Sequence, residues 1–162
     1  MIEPDQFRKA LGQFATGIAI ATTLDEHGNP HGLTINSFNS VSLDPPLVLW
    51  SLDKSSHQLD IFKKSGFYGV TILAEDQKAL SDRFAMPMIE DRFDGTDWQS
   101  GKTGAPLFNE FLARIDCEVE SIVEGGDHVI LIGRVVDLEH REGAPLLYHG
   151  SGYRKLGDAV TA

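Results

Sequence analysis

The stretch from His128 to Leu138 constrains the fold more than any other part of the chain. Its run Val129-Ile130-Leu131-Ile132 is short, aliphatic and mostly β-branched, and it follows the turn residues Gly125-Gly126-Asp127. Such a run reads as a strand buried on both faces. Upstream, Ile115, Cys117 and Val119 alternate with Asp116, Glu118 and Glu120, the pattern of a half-buried strand with its acidic residues facing water. The same grammar recurs along the chain. Residues 17–24 are small and β-branched, Asp25 to Pro30 reads as a turn, and 31–38 as the returning strand. Asp44-Pro45-Pro46 interrupts the next segment, after which 47–52 and 67–73 again read as strands. Strand and turn units of roughly ten residues, with only short helices between them, predict an all-β barrel or sandwich.

Helical signals are few. Pro4 suits a first turn, and Phe7, Leu11 and Phe14 make one apolar face over residues 4–14. Ser55 and Gln58 are spaced as a capping box for a helix over 55–64 that Gly66 would stop, and 75–84 reads as another short helix. Residues 85–106, rich in Gly and Pro, predict a long irregular loop, long enough to be functional. With 162 residues and neither repeat nor linker-like stretch, one domain over 1–162 is expected. The formal charge of −10 makes nucleic acid a poor partner. No apolar run approaches the roughly 20 residues of a membrane helix, and the first residues lack a secretory pattern, so a cytoplasmic protein is expected.

Common catalytic motifs are absent. Gly101-Lys102-Thr103 resembles the end of a P-loop, but its preceding glycine is out of register and no apolar strand leads into it. Gly150-Ser151-Gly152 does not complete a dinucleotide fingerprint, no serine sits in a nucleophile elbow, and His27 and His31 lack a third ligand. No metal is expected. Three segments carry more interest. Leu52-Asp53-Lys54-Ser55-Ser56-His57 places hydroxyls and a lysine where a helix begins, either as a plain cap or as an anion site. Thr34-Ile35-Asn36-Ser37-Phe38 is either a solvent-facing strand edge or a hydrogen-bonding edge for a planar polar ligand. Asp127-His128 is either turn chemistry or an imidazole held over a cofactor.

Together these segments resemble one family. Phe7 to Gly17, Gly32-Leu33-Thr34-Ile35-Asn36-Ser37-Phe38 followed by Ser40 to Leu47, Ala79 to Ala85, Gly126-Asp127-His128 leading into Gly133-Arg134-Val135, and Pro145 to Tyr148 with Tyr153-Arg154 are similar, in order, to blocks of the short-chain flavin reductases. The resemblance spans about residues 6–156. It implies an FMN-binding split barrel, a Greek-key antiparallel β-barrel with short peripheral helices, assembled as a homodimer. It further implies NAD(P)H:flavin oxidoreductase activity, FMN or FAD being reduced by NADH or NADPH, commonly on behalf of a flavin-dependent monooxygenase.

By the family's pattern, Thr34, Ile35, Asn36 and Ser37 lie along the isoalloxazine edge. Ser51, Leu52, Asp53, Lys54, Ser55 and Ser56, with Arg83 and Phe84, meet the ribityl phosphate side. His128, Tyr148, Tyr153 and Arg154 form the nicotinamide side. His149-Gly150-Ser151-Gly152 departs from the family, which often carries a bulky or charged residue there. The implied chemistry is direct hydride transfer from nicotinamide C4 to flavin N5, accelerated by orientation, with backbone N–H groups of 34–37 meeting charge that develops on the ring. A passive flavin carrier or sensor, or an oxidase of a vitamin-like amine on the same barrel, are the alternatives.

Overall fold

The computed structural model describes residues 1–160. In chain order the first elements are α1 (Pro4–Leu11), β1 (Thr16–Gly17), β2 (Ala19–Leu24), β3 (Pro30–Ile35), β4 (Asn39–Leu43), β5 (Pro46–Asp53) and α2 (Leu59–Ser65). They are followed by β6 (Phe67–Ile72), α3 (Lys78–Ala85), β7 (Trp98–Ser100), β8 (Pro106–Phe108), β9 (Ala113–Gly125), β10 (His128–His140), β11 (Leu147–His149) and β12 (Gly152–Arg154). Every strand pairing is antiparallel, so the protein is mostly β with few helices. Seven strands form the main sheet in the order β3-β2-β6-β9-β10-β5-β4, beside a three-stranded sheet β1-β11-β12 and the small hairpin β7-β8. No helix among the described residues is long and apolar enough to cross a membrane.

The turns are where local chemistry decides. Asp25 accepts hydrogen bonds from the backbone N–H groups of His27 (2.9 Å) and Asn29 (2.8 Å), folding β3 back on β2. Gly66, at φ 77°, closes α2 in the left-handed conformation that only glycine adopts without penalty. Gly126, at φ 72°, turns β9 into β10.

The edges of the main sheet, β3 and β4, are consecutive in the chain and joined only by residues 36–38. Four peptide steps reach at most about 15 Å, so the sheet must curl until its edges approach. Ser37 helps close the gap: its Oγ accepts from the Ser51 N–H (3.0 Å) and donates to the Ser51 carbonyl (3.2 Å) on β5. The main core joins Ile35 on one edge strand to Val48, Trp50 and Leu52 near the other, with Tyr68, Val129 and Leu131 between. Gly133 makes room for this core, since a Cβ there would lie 2.2 Å from the Tyr68 hydroxyl. A second core, Ile18, Ile20, Leu73, Phe84, Phe93, Phe108 and Leu146, packs beneath α3.

Several expectations need correction. α1 ends at Leu11 rather than residue 14, and Phe7, Leu11 and Phe14 are exposed instead of facing a core. α2 begins at Leu59, without a capping box. Gln58 instead turns inward and donates to the Gly32 carbonyl (3.1 Å). α3 begins at Lys78, three residues late, and β3 stops at Ile35. Within the expected 85–106 loop, Trp98–Ser100 pairs with Pro106–Phe108. That hairpin covers the outer face of β9, so Asp116 is fully buried rather than solvated, bonded by the Thr103 N–H (2.9 Å) and hydroxyl. Ile130 and Ile132 are partly exposed, so β10 is buried chiefly on the face of Val129 and Leu131.

Candidate functional site

The first cluster of candidate residues forms where β5 ends and β10 begins. Antiparallel register sets Asp53 opposite His128, and the Lys54 N–H donates to the Asp127 carbonyl (2.9 Å). Asp53 Oδ1 accepts from both the N–H and the Oγ of Ser55, each at 2.7 Å. These bonds, from the Ser55 N–H first and its hydroxyl second, together with the nearby His128, hold the Asp53 carboxyl below the usual carboxylate range. His128 is partly exposed, and its Nδ1 lies 2.8 Å from Asp127 Oδ1. That contact keeps the Asp127 carboxyl low as well and leaves His128 Nε2 as the nitrogen for a ligand. Lys54 Nζ donates to the Gly126 carbonyl (2.7 Å) and pairs with Glu124 (2.5 Å). Ser56 Oγ accepts weakly from the Gln58 N–H (3.3 Å). Because α2 starts only at Leu59, the helix-terminus argument for an anion at Ser55 fails. The donors of Ser55 nevertheless surround a negative charge already.

The second cluster lies around α3. Thr34 Oγ1 donates to the Ser81 carbonyl (2.6 Å), and Ser81 Oγ meets the Tyr153 hydroxyl at 2.8 Å. Tyr153 packs edge-on against Tyr148 (5.7 Å between centroids) and under Lys78 Nζ (5.0 Å). Burial, first, raises the Tyr153 phenol above its ordinary value. Gly150 (φ 56°) and Ser151 (φ 61°) both take left-handed backbone, so His149-Gly150-Ser151-Gly152 is a tight hairpin tip whose register sets Tyr148 opposite Tyr153. The segment that departs from the family pattern thus positions two of its aromatic residues. Arg154 is exposed and, among the described residues, bonded only to the neighbouring Tyr153 carbonyl (3.0 Å).

Three candidate side chains do not face a ligand. Ile35 and Leu52 are buried in the main core, and Phe84 is fully buried against Phe93 (4.9 Å) and Phe108 (5.3 Å). Only their backbones remain for a ligand. Arg83 is half-buried and donates to the carbonyls of Arg92 (2.6 Å), Asp91 (3.2 Å) and Asp94 (2.6 Å). The grouping also differs from the one expected. Arg83 is held by the carbonyls of 91–94, Tyr153 meets Ser81 of the same helix, and His128 shares its rim with 53–56. Residues 34–37 join the two clusters, Thr34 being bonded to Ser81 and Ser37 to Ser51.

Between these anchors, Thr16, Gly17, Ile35, Asn36, Phe38 and Ile72 border a narrow cleft of about 80 Å³. Asn36 is exposed at its edge, and the Thr16 hydroxyl is buried without a hydrogen-bond partner. An apolar floor with an orphaned hydroxyl and a free amide fits the rim of a planar heteroaromatic ring. Thr16 and Gly17 were not singled out as ligand residues from sequence, although both lie in a segment that carries the resemblance, whereas Phe38 belongs to the stretch 34–38 read there as a possible ligand edge. Arg92 was missed entirely. It is buried and donates to the carbonyls of Gly32 (2.9 Å) and Met86 (3.0 Å), fastening the 86–92 segment over the second core.

The flavin reductase like domain matches residues 11–157 of this chain. The chain belongs to that family. A probable flavin reductase of Rhizobium meliloti is 44% identical over all of this chain, which spans 53% of that relative's length. The reductase subunit HsaB of a flavin-dependent monooxygenase from Rhodococcus jostii is 43% identical, with 94% of this chain and 77% of that protein covered. The FMN reductase (NADH) SmoA of Agrobacterium fabrum is 42% identical, with 93% and 84% covered. Among solved structures, the NADH:FAD oxidoreductase of Streptomyces globisporus C-1027 superposes with a TM-score of 0.88 at 33% identity, covering 98% of each chain. The resemblance to flavin reductases that the sequence carries therefore holds at the level of the family.

Proposed function

We propose that this chain is an NADH-using flavin reductase that passes hydride to FMN or FAD and supplies the reduced flavin to a flavin-dependent monooxygenase. The observation that carries the reading is the convergence of three separate segments on one rim: 34–37, tied to β5 through Ser37 and Ser51; 51–56; and His128, held opposite Asp53. The names of the relatives support the donor and the partner class.

The flavin supplies the hydride acceptor when bound. The chain's own contribution is orientation. Asn36 and the backbone N–H groups of 36 and 37, beyond the end of the β2–β3 ladder, are placed to meet the ring's polar edge, and the unpartnered Thr16 hydroxyl lies beside them. His128, its Nδ1 anchored on Asp127, offers Nε2 to a carboxamide or phosphate oxygen of the nicotinamide donor. Such positioning turns an encounter of two diffusing molecules into an oriented contact, and no side chain needs to form a covalent bond.

The finer architecture is read as a split barrel, since the edge strands are consecutive and the sheet curls between them. The working unit is read as a homodimer on two grounds. α1 has eight residues and no buried side chain, too short to persist unaided in water, with Phe7, Leu11 and Phe14 uncovered. The cleft of one chain, about 80 Å³, is also far smaller than the several hundred Å³ of a typical cofactor site. The experiment is steady-state oxidation of NADH and NADPH with added FMN, FAD or riboflavin. Flavin-dependent oxidation of NADH is expected. Bound flavin without turnover on either nicotinamide would make the protein a carrier instead.

A further inference from the structure

We propose that Asp53 is a built-in anion that competes with the flavin's phosphate for the donors of Ser55, and so sets how firmly phosphorylated flavins are held. The proposal rests on reading 51–56 as the phosphate side of the flavin site. Within that segment the N–H and the hydroxyl of Ser55 are two donors suited to an anion, and both point at Asp53 Oδ1 at 2.7 Å, whereas the Ser56 hydroxyl accepts from the Gln58 N–H and keeps its own proton to donate. Charge-assisted bonds of this kind are what a phosphate oxygen would form in the same place. The seat is therefore filled by a side chain of the chain itself.

The cations expected nearby are also engaged. Lys54, the one cation of the segment, holds Glu124 and the Gly126 carbonyl, and Arg83 holds three loop carbonyls. Across the strands, His128 faces Asp53 but has its Nδ1 on Asp127. An arriving phosphate thus meets a carboxylate at its donors and must displace it, while Lys54 and Arg83 are already engaged and, among the described residues, only the exposed imidazole of His57 beside the segment has no partner. The low-lying Asp53 carboxyl supports this, because the group is ionised at neutral pH, as the flavin phosphate is. Asp53 accordingly weakens the contribution of the phosphate and favours release of the flavin, as delivery to a second enzyme requires.

Two variants of the full chain test the proposal. Asp53→Asn removes the charge and keeps an oxygen to accept from Ser55, so the turn persists, whereas Asp53→Ala removes both. Dissociation constants for FMN, FAD and riboflavin are measured by flavin fluorescence quenching, with thermal melting alongside. In Asp53→Asn, FMN is expected to bind about fivefold or more tightly while riboflavin changes by less than about twofold, and the gain should shrink at about 0.5 M salt. A wild-type protein that prefers FMN to riboflavin, with that preference unchanged or reduced in Asp53→Asn, overturns the proposal alone. FMN and riboflavin binding alike in wild type and both variants removes the phosphate from this segment, and the proposal with it. Failure of the wild-type chain to bind any flavin overturns the flavin reading as a whole.

Discussion

Thr103→Val offers the sharpest test of how the fold is held. Asp116 is a fully buried carboxylate on β9, and its bonds come from Thr103, through the backbone N–H at 2.9 Å and the hydroxyl. Valine keeps the shape and the backbone donor but removes the hydroxyl. Loss of one hydrogen bond to a buried charge costs about 1.5–3 kcal/mol. The hydroxyl also accepts from the Ala105 N–H at 3.2 Å, a longer bond whose loss adds up to about 1 kcal/mol. The sum, about 1.5–4 kcal/mol, corresponds to a drop in melting temperature of roughly 3–16 °C for a domain of this size. Function should separate from stability. Asp116 pairs with Asp137 on β10, nine residues from His128, or about 30 Å along the strand. Flavin reductase efficiency per folded molecule should therefore stay within about twofold of wild type, since no contact of the site is touched. Calorimetry or thermal circular dichroism reads the first quantity and steady-state kinetics the second. Melting within about 1 °C of wild type would mean that the Thr103 hydroxyl does not sustain the buried carboxylate, and the reasoning would be wrong.

Other outcomes follow from the same geometry. His128→Ala should leave melting and flavin affinity near normal and lower NADH efficiency by about tenfold or more, and unchanged NADH kinetics in a flavin-replete variant would reject a cofactor role. The double variant Phe7→Ser and Leu11→Ser should yield a monomer by light scattering at micromolar concentration with weakened flavin turnover, whereas a dimer of normal activity would exclude α1 from the interface. Asp25→Asn addresses pH. The Asn29 side chain first, then the backbone of Asn29, His31 and the backbone of His27, hold the Asp25 carboxyl well below its usual range against burial, which raises it. A folded value below the unfolded one gives stability that is full above about pH 4 and is lost only as pH falls through the lower folded value, so the melting deficit of Asp25→Asn should be full at pH 7 and only begin to shrink by about pH 3.

The strands and turns were legible because their signals are local. Alternation over five residues, a glycine at a left-handed position and a proline after an aspartate act without knowledge of the rest of the chain. The misreadings came from contacts made at a distance. Ser55 and Gln58 have the spacing of a capping box, yet Gln58 is needed in the interior to donate to Gly32, so the helix starts later. Asp116 has the alternation of a solvent-facing residue, yet the hairpin of 98–108 covers it. The candidate site follows the same division. Its candidate residues were named from short blocks, but which of them stand together depends on strand order, which no block encodes. Sequence placed Arg83 with the 51–56 segment and His128 with the late tyrosines. The pairing of β5 with β10 sets His128 beside 53–56 instead, and the contact of Ser81 with Tyr153 leaves the late tyrosines against α3. This regrouping bears on mechanism. If one rim carries both the anion-binding donors and the imidazole, the charge of Asp53 acts on both ligands at once, and a substitution there should be read on flavin and on NADH separately.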